Sequence, residues 1–148
     1  MISRRAVLAT IGLLISAPAA VAAAAPMTVY KTASCGCCGG RITLMTRAGY
    51  PPQGVVIDDV TPLNERYGVP FELSSCHLAT VGSYVTVGHV PAADIARLLK
   101  ERPKALGLTV PGMPLGSPGM EMPDGRKEAY NTLLLLPGGK TRIFAKHG

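Results

Sequence analysis

The chain has 148 residues, 47% hydrophobic and 16% charged, with a net charge of +6. It is too apolar for a disordered chain and is sized for one compact domain. It has no tryptophan and only 5% aromatics, so the stacking residues that usually accompany a basic nucleic-acid surface are scarce, and no nucleic-acid partner is expected.

Residues 1–25 read as a secretory signal. Arg4 and Arg5 form a basic head, Ala6 to Ala17 an apolar core, and Ala20-Val21-Ala22 a run of small residues suited to cleavage. Ser3-Arg4-Arg5-Ala6-Val7-Leu8 also resembles a twin-arginine export signal, although Val7 stands where phenylalanine is usual; the general secretory route is the alternative. Ala6 to Ala25 is nominally long enough to span a bilayer, so a membrane is a partner only if the signal is retained. Its alanines and Pro18 favour cleavage and a mature domain of residues 26–148, exported to the periplasm. The remaining charge is scattered, without a run of one sign, and reads as a solvated surface.

Met27 to Lys31 reads as a first strand, and Gly39 to Ala48 as a short helix stopped by Gly49-Tyr50-Pro51-Pro52. The apolar run Val55-Val56-Ile57 predicts a buried central strand. Pro62 to Tyr67 predicts one or two helical turns opened by Thr61. Leu78 to Val81 and Tyr84 to Val87 form a hairpin turned by Gly82-Ser83. Pro91 to Arg102 is the clearest helix, with Ile95, Leu98 and Leu99 on one face. Val110 to Asp124 reads as a loop, followed by a terminal hairpin of Leu133 to Leu136 and Thr141 to Ala145. A βαβ then ββα order is that of an α/β, thioredoxin-like domain, here with residues 104–148 as a C-terminal loop-and-hairpin extension.

The chemistry concentrates in four cysteines. Cys35-Gly36-Cys37-Cys38 sits between the first strand and first helix, where thioredoxin-like folds carry a reactive Cys-x-x-Cys. The helix N-terminus there favours thiolate. In an oxidising compartment four cysteines normally make two structural disulfides. Here Cys35–Cys38 would close almost no loop and adjacent Cys37–Cys38 would be strained, so the constellation points to chemistry. Cys76, with His77 beside it, precedes the third strand, the place facing the Cys-x-x-Cys loop that normally carries a cis-proline. A thiol and an imidazole there move the site from disulfide exchange towards metal binding.

Soft thiolate and thioether ligands favour Cu(I), while mixed Cys and His also suit zinc. Met113, Met120 and Met122 lie in a Pro- and Gly-rich segment unsuited to a helix core, which makes Met113 and Met120 candidate thioether ligands; packing of the loop is the other reading. Met45 reads as helix packing, His89 as a local hydrogen-bonding residue, and His147 as part of a loose chain end.

At these residues the sequence resembles the periplasmic CopG-type copper-resistance family, thioredoxin-like proteins with a Cys-x-Cys-Cys motif. The resemblance runs through Tyr30-Lys31-Thr32, Cys35-Gly36-Cys37-Cys38-Gly39, Ser75-Cys76-His77, Gly88-His89-Val90-Pro91, Pro111-Gly112-Met113-Pro114 and Gly116-Ser117-Pro118-Gly119-Met120-Glu121. It implies a metal-binding C-terminal extension, cysteine-bridged copper and a role in copper detoxification.

The leading expectation is therefore a copper-binding protein in which Cys35, Cys37, Cys38, Cys76 and His77 hold Cu(I) ions with Met113 and Met120. Adjacent Cys37 and Cys38 are poorly placed to chelate one tetrahedral ion but can bridge two, which suits a multinuclear cluster. Mixed ligation would also allow Cu(I)/Cu(II) interconversion, a copper oxidoreductase activity. Expected partners are copper ions and other periplasmic copper-handling or efflux proteins. A thiol–disulfide oxidoreductase using Cys35 and Cys38, and a structural zinc site, are the alternatives.

Overall fold

The computed structural model describes residues 25–148. The export reading of residues 1–25 therefore lies, but for Ala25, outside the described residues. In chain order the elements are β1 (Met27–Lys31), α1 (Cys38–Arg47), β2 (Pro52–Val56), α2 (Thr61–Arg66), β3 (His77–Val81), β4 (Tyr84–Gly88), α3 (Ala92–Glu101), β5 (Gly107–Val110), β6 (Tyr130–Leu135) and β7 (Thr141–His147). The class is mixed α/β, with one seven-stranded sheet in the order β2-β1-β3-β4-β5-β6-β7. β1 pairs parallel with β2 and antiparallel with β3, and β3 pairs antiparallel with β4. The expected sequence of strand, helix, strand, short helix, hairpin and helix is present.

Side chains on successive strand residues point to opposite faces, so each inner strand serves two cores. Val29, Ala79, Leu108 and Leu134 join Met45 of α1 and Ile95 and Leu98 of α3 in one cluster. Leu78, Val85, Val87 and Leu135 join Val69, Tyr67 and Leu73 in the other. Each fully buried aliphatic side chain contributes about 1.5–3 kcal/mol. α1 and α3 therefore dock on one face because each carries a single apolar stripe. Gly49, at φ 87°, takes up the left-handed turn after α1.

Two expectations are corrected. The Val55-Val56-Ile57 run does not make a central strand: β2 is a sheet edge, and Val56 is 61% exposed. Three apolar residues in a row suit an edge as well as a centre, because the missing second neighbour leaves no local trace. The C-terminal region also holds more than a loop and a hairpin. Four residues, Gly107–Val110, form β5, which pairs parallel with β4 and antiparallel with β6 and so splices the terminal hairpin into the sheet. Among the described residues no helix is long and apolar enough to cross a membrane.

Candidate metal centre

The register of the sheet builds the centre. Lys31, the last residue of β1, pairs with His77, the first of β3. The loop that leaves β1 therefore lies beside the residue that enters β3, and Cys35 meets Cys76 across 41 positions of sequence. The Sγ atoms of Cys35 and Cys76 are 3.4 Å apart, and Cys37 Sγ lies 3.7 Å from each of them. One donor atom from each of Cys35, Cys37, Cys38, Cys76 and His77 falls within a 4.8 Å cluster. These are five of the seven ligands expected from sequence.

Cys35 and Cys38 are joined by a disulfide, whereas Cys37 and Cys76 are free thiols. The two-disulfide arrangement is thus not formed. No cis peptide bond occurs among the described residues, in keeping with a thiol and an imidazole at the strand start. Burial raises the Cys37 thiol above its ordinary pKa, reinforced by the hydrogen bond and charge of Cys76.

Hydrogen bonding fixes the tautomer of His77. Gly88 O can only accept, so His77 Nε2 carries the proton that it donates across 3.0 Å. The lone pair is left on Nδ1, 3.6 Å from Cys76 Sγ. This is the arrangement of a metal-ligating histidine whose other nitrogen is held by a carbonyl. Burial, followed by the charge of Arg41, lowers the His77 pKa to about 3 and keeps the ring neutral. His89 works the other way round: its Nδ1–H donates to Pro118 O at 2.9 Å. His89 is a hydrogen-bonding residue as expected, but its partner is not local: Pro118 lies 29 positions away. The two rings meet edge to face with centroids 5.1 Å apart.

On the buried stripe of α1 lies a residue that sequence reasoning missed. Cys38, Arg41 and Met45 are the buried stripe of α1, spaced i, i+3 and i+7. Arg41 is 2% exposed, and its Nη1 donates to Val90 O. Burial lowers its guanidinium to about 10. The available signal was its position: an arginine one turn after Cys38 occupies the inward face.

The extension folds back onto this layer. A Cβ on Gly40 would come within 3.7 Å of Gly119 Cα, and one on Gly119 within 3.3 Å of Arg41 N and 3.5 Å of Cys37 O. Gly119 has φ +89°, so only glycine suits both the conformation and the approach. Met120 follows it directly. Met113 stands at φ 48° and is 46% exposed. The methionine loop is thus beside the cysteine helix. His147 is not loose: it belongs to β7, because Asp94 and Tyr130 engage its ring.

Four sulfurs and one neutral imidazole form a soft donor set that suits Cu(I) and also Zn(II). Reduced, the set offers four thiolates; with Cys35–Cys38 oxidised it still offers Cys37, Cys76 and His77.

Comparison with known proteins follows the same lines. Two solved structures of copper resistance protein CopG, Form 2 and Form 1, superpose with a TM-score of 0.78 each, at 38% and 39% sequence identity. Each match covers 84% of this chain and 99% or 98% of the other. A family model described as a protein of unknown function, DUF411, matches residues 73–120, which include Cys76, His77 and Gly119. No curated protein sequence matches the chain.

Proposed function

The chain belongs to the CopG copper-resistance family, and we propose that it binds Cu(I) through Cys35, Cys37, Cys38, Cys76 and His77. The observation that carries this reading is the gathering of five soft or borderline donors within 4.8 Å from two distant segments. Three close sulfurs favour ions bridged by thiolate over a single chelated ion. We read Met113 and Met120 as supplementary thioether ligands, supported by the contact of Gly119 with Cys37 and Arg41. The βαβ-then-ββα order supports a thioredoxin-like core, and residues 1–25 support export to the periplasm, where copper-handling and efflux proteins would be its partners.

The same centre supports interconversion of Cu(I) and Cu(II). Two thiolates that become the Cys35–Cys38 disulfide release two electrons, enough to convert two Cu(II) to two Cu(I). Cys37, Cys76 and His77 stay available to hold the product. The disulfide itself favours a second reading, thiol–disulfide exchange with an exported partner.

Anaerobic titration of the reduced protein with Cu(I) and with Zn(II) tests the assignment. Two or more tightly held Cu(I) per chain is the expected result. One Zn(II) that copper does not displace would mark a structural zinc site, and rapid disulfide reduction without tight metal would mark the exchange reading.

A further inference from the structure

The buried face of α1 that carries Cys38 also carries a cation, and that cation makes no ion pair among the described residues. Arg41 is buried and one helical turn from Cys38 on the same face of α1. Its hydrogen bond goes to a neutral carbonyl, Val90 O. No carboxylate among the described residues lies within ion-pair distance of it. Of the acids of neighbouring elements, Asp94 accepts from Thr132 and His147, and exposed Glu121, whose charge reaches His89, accepts from Gly119 N and makes no ion pair with Arg41. The two flanking imidazoles bring no negative charge. The fully buried Nε2 of His89 also lacks a partner among the described residues, so the layer does not satisfy itself. A buried guanidinium without a counter-ion is strongly unfavourable, and proteins rarely retain one unless an opposite charge is supplied.

Four thiols that lose their protons as metal binds supply such a charge. As thiolates they carry four negative charges, so loading with one Zn(II), or with one to three Cu(I), converts a neutral set of thiols into an anionic centre. We propose that Arg41 is the built-in counter-charge of the metal–thiolate centre, raising its metal affinity and its reduction potential without ligating the metal. The inference rests on the thiolate centre assigned above. Arg41 acts through its field and is a positioning residue. The direction follows from charge: removing the cation favours the more positive, oxidised state and so lowers the potential.

The test compares wild type with Arg41→Met, Arg41→Gln and Arg41→Lys, each reduced and anaerobic. Apo melting temperature is read first, then chelator competition with Cu(I) and separately with Zn(II), and the midpoint potential of the copper-loaded protein. Arg41→Met should melt at or above the wild-type temperature without metal, because it removes an uncompensated buried charge. It should lose at least about tenfold in affinity at low metal loading, the scale of one charge–charge contact at close range. Its potential should fall. Arg41→Gln keeps a donor for Val90 O and should show the same metal losses, whereas Arg41→Lys should keep most of the wild-type affinity. Neutral variants that fold with wild-type affinity and potential would overturn the proposal. So would equal losses in Arg41→Lys and Arg41→Met, which would mark a role in shape. Failure of both neutral variants to fold would make Arg41 a pillar of the structure and equally overturn it. A wild type that binds Zn(II) but not Cu(I) would defeat the copper reading while the comparison proceeds on Zn(II); binding of neither would defeat both.

Discussion

Asp94 Oδ2 lies 2.9 Å from His147 Nε2 and accepts a second bond from Thr132 Oγ1 at 2.6 Å. One carboxylate at the start of α3 thereby fastens both strands of the terminal hairpin to the core. Tyr130 completes the clasp, its ring stacked on His147 at 4.6 Å and 25°. Since the loop that lies against the cysteine helix runs from β5 directly into β6, the clasp on β6 anchors its far end.

Asp94→Ala should therefore destabilise the protein by about 1–3 kcal/mol, because it removes the buried acceptor that Thr132 and His147 share and leaves the fully buried Thr132 hydroxyl with His147 Nε2, at 3.0 Å, alone. Adding Thr132→Val removes the hydroxyl whose strongest acceptor is gone, so the double variant should lose less than the sum of the two single changes. Urea unfolding of the three proteins measures this. Strict additivity of the two changes would show that the residues act independently.

Acid should weaken the apo protein. His77 is held neutral with a pKa near 3, and burial lowers His89 as well. Both are depressed relative to the unfolded chain, so for His77 the unfolded state binds more protons between about pH 6.5 and pH 3, and His89 acts in the same direction. Stability then falls as pH falls through that window, by up to about 1.4 kcal/mol per pH unit for each such proton. Unfolding midpoints at pH 7 and pH 5 should differ accordingly. His77→Gln, which keeps a donor for Gly88 O, should flatten the dependence.

The close pairing of β4 with β5 makes a sharper prediction. A Cβ on Gly107 would collide with the backbone of Val85 itself, not with a side chain that could move aside. Gly107→Ala should prevent β5 from docking and abolish cooperative folding, whereas Gly125→Ala, at φ +74° but in open space, should cost far less. Circular dichroism melts of the two variants distinguish these outcomes, and a native melt for Gly107→Ala would refute the packing argument.

What could be read in the sequence follows from how locally each feature is written. α1, α3 and the β3–β4 hairpin announce themselves through periodicity and through turn residues such as Gly82-Ser83. The five-donor cluster was legible because its residue types are rare and their chemistry is narrow. The edge position of β2 and the existence of β5 were not, since both depend on which strand lies alongside. Arg41 escaped for another reason: periodicity arguments assign arginine to the solvent face, and the carbonyl that receives it, Val90 O, lies 49 positions away. His147 looked like a frayed end because its partner, Asp94, lies 53 residues away.

Cys37 is surplus to a Cys-x-x-Cys pair and is held as a free thiol 3.7 Å from both Cys35 and Cys76. Cys37→Ser should lower the copper stoichiometry of the reduced protein while leaving its circular dichroism spectrum native, because a partly exposed serine in this loop disturbs no core contact. Unchanged copper content would exclude a cluster bridged through Cys37.

The methionine loop separates ligation from packing. Gly119 brings the loop against Cys37 and Arg41, and Met120 follows it, while Met113 is half exposed at positive φ. Met113→Leu with Met120→Leu keeps size and apolarity, so packing should change by less than about 1.5 kcal/mol. Thioethers carry no proton, whereas thiolates must lose one before they bind metal. If the thioethers are ligands, the double variant should bind Cu(I) more weakly than wild type. Its relative loss should grow at low pH, where protonation handicaps the cysteines and the thioethers carry more of the binding. Competition against a Cu(I) chelator at two pH values, wild type beside the double variant, measures both effects. Equal affinity and stoichiometry at both values would remove Met113 and Met120 from the centre and leave copper to the four cysteines and His77.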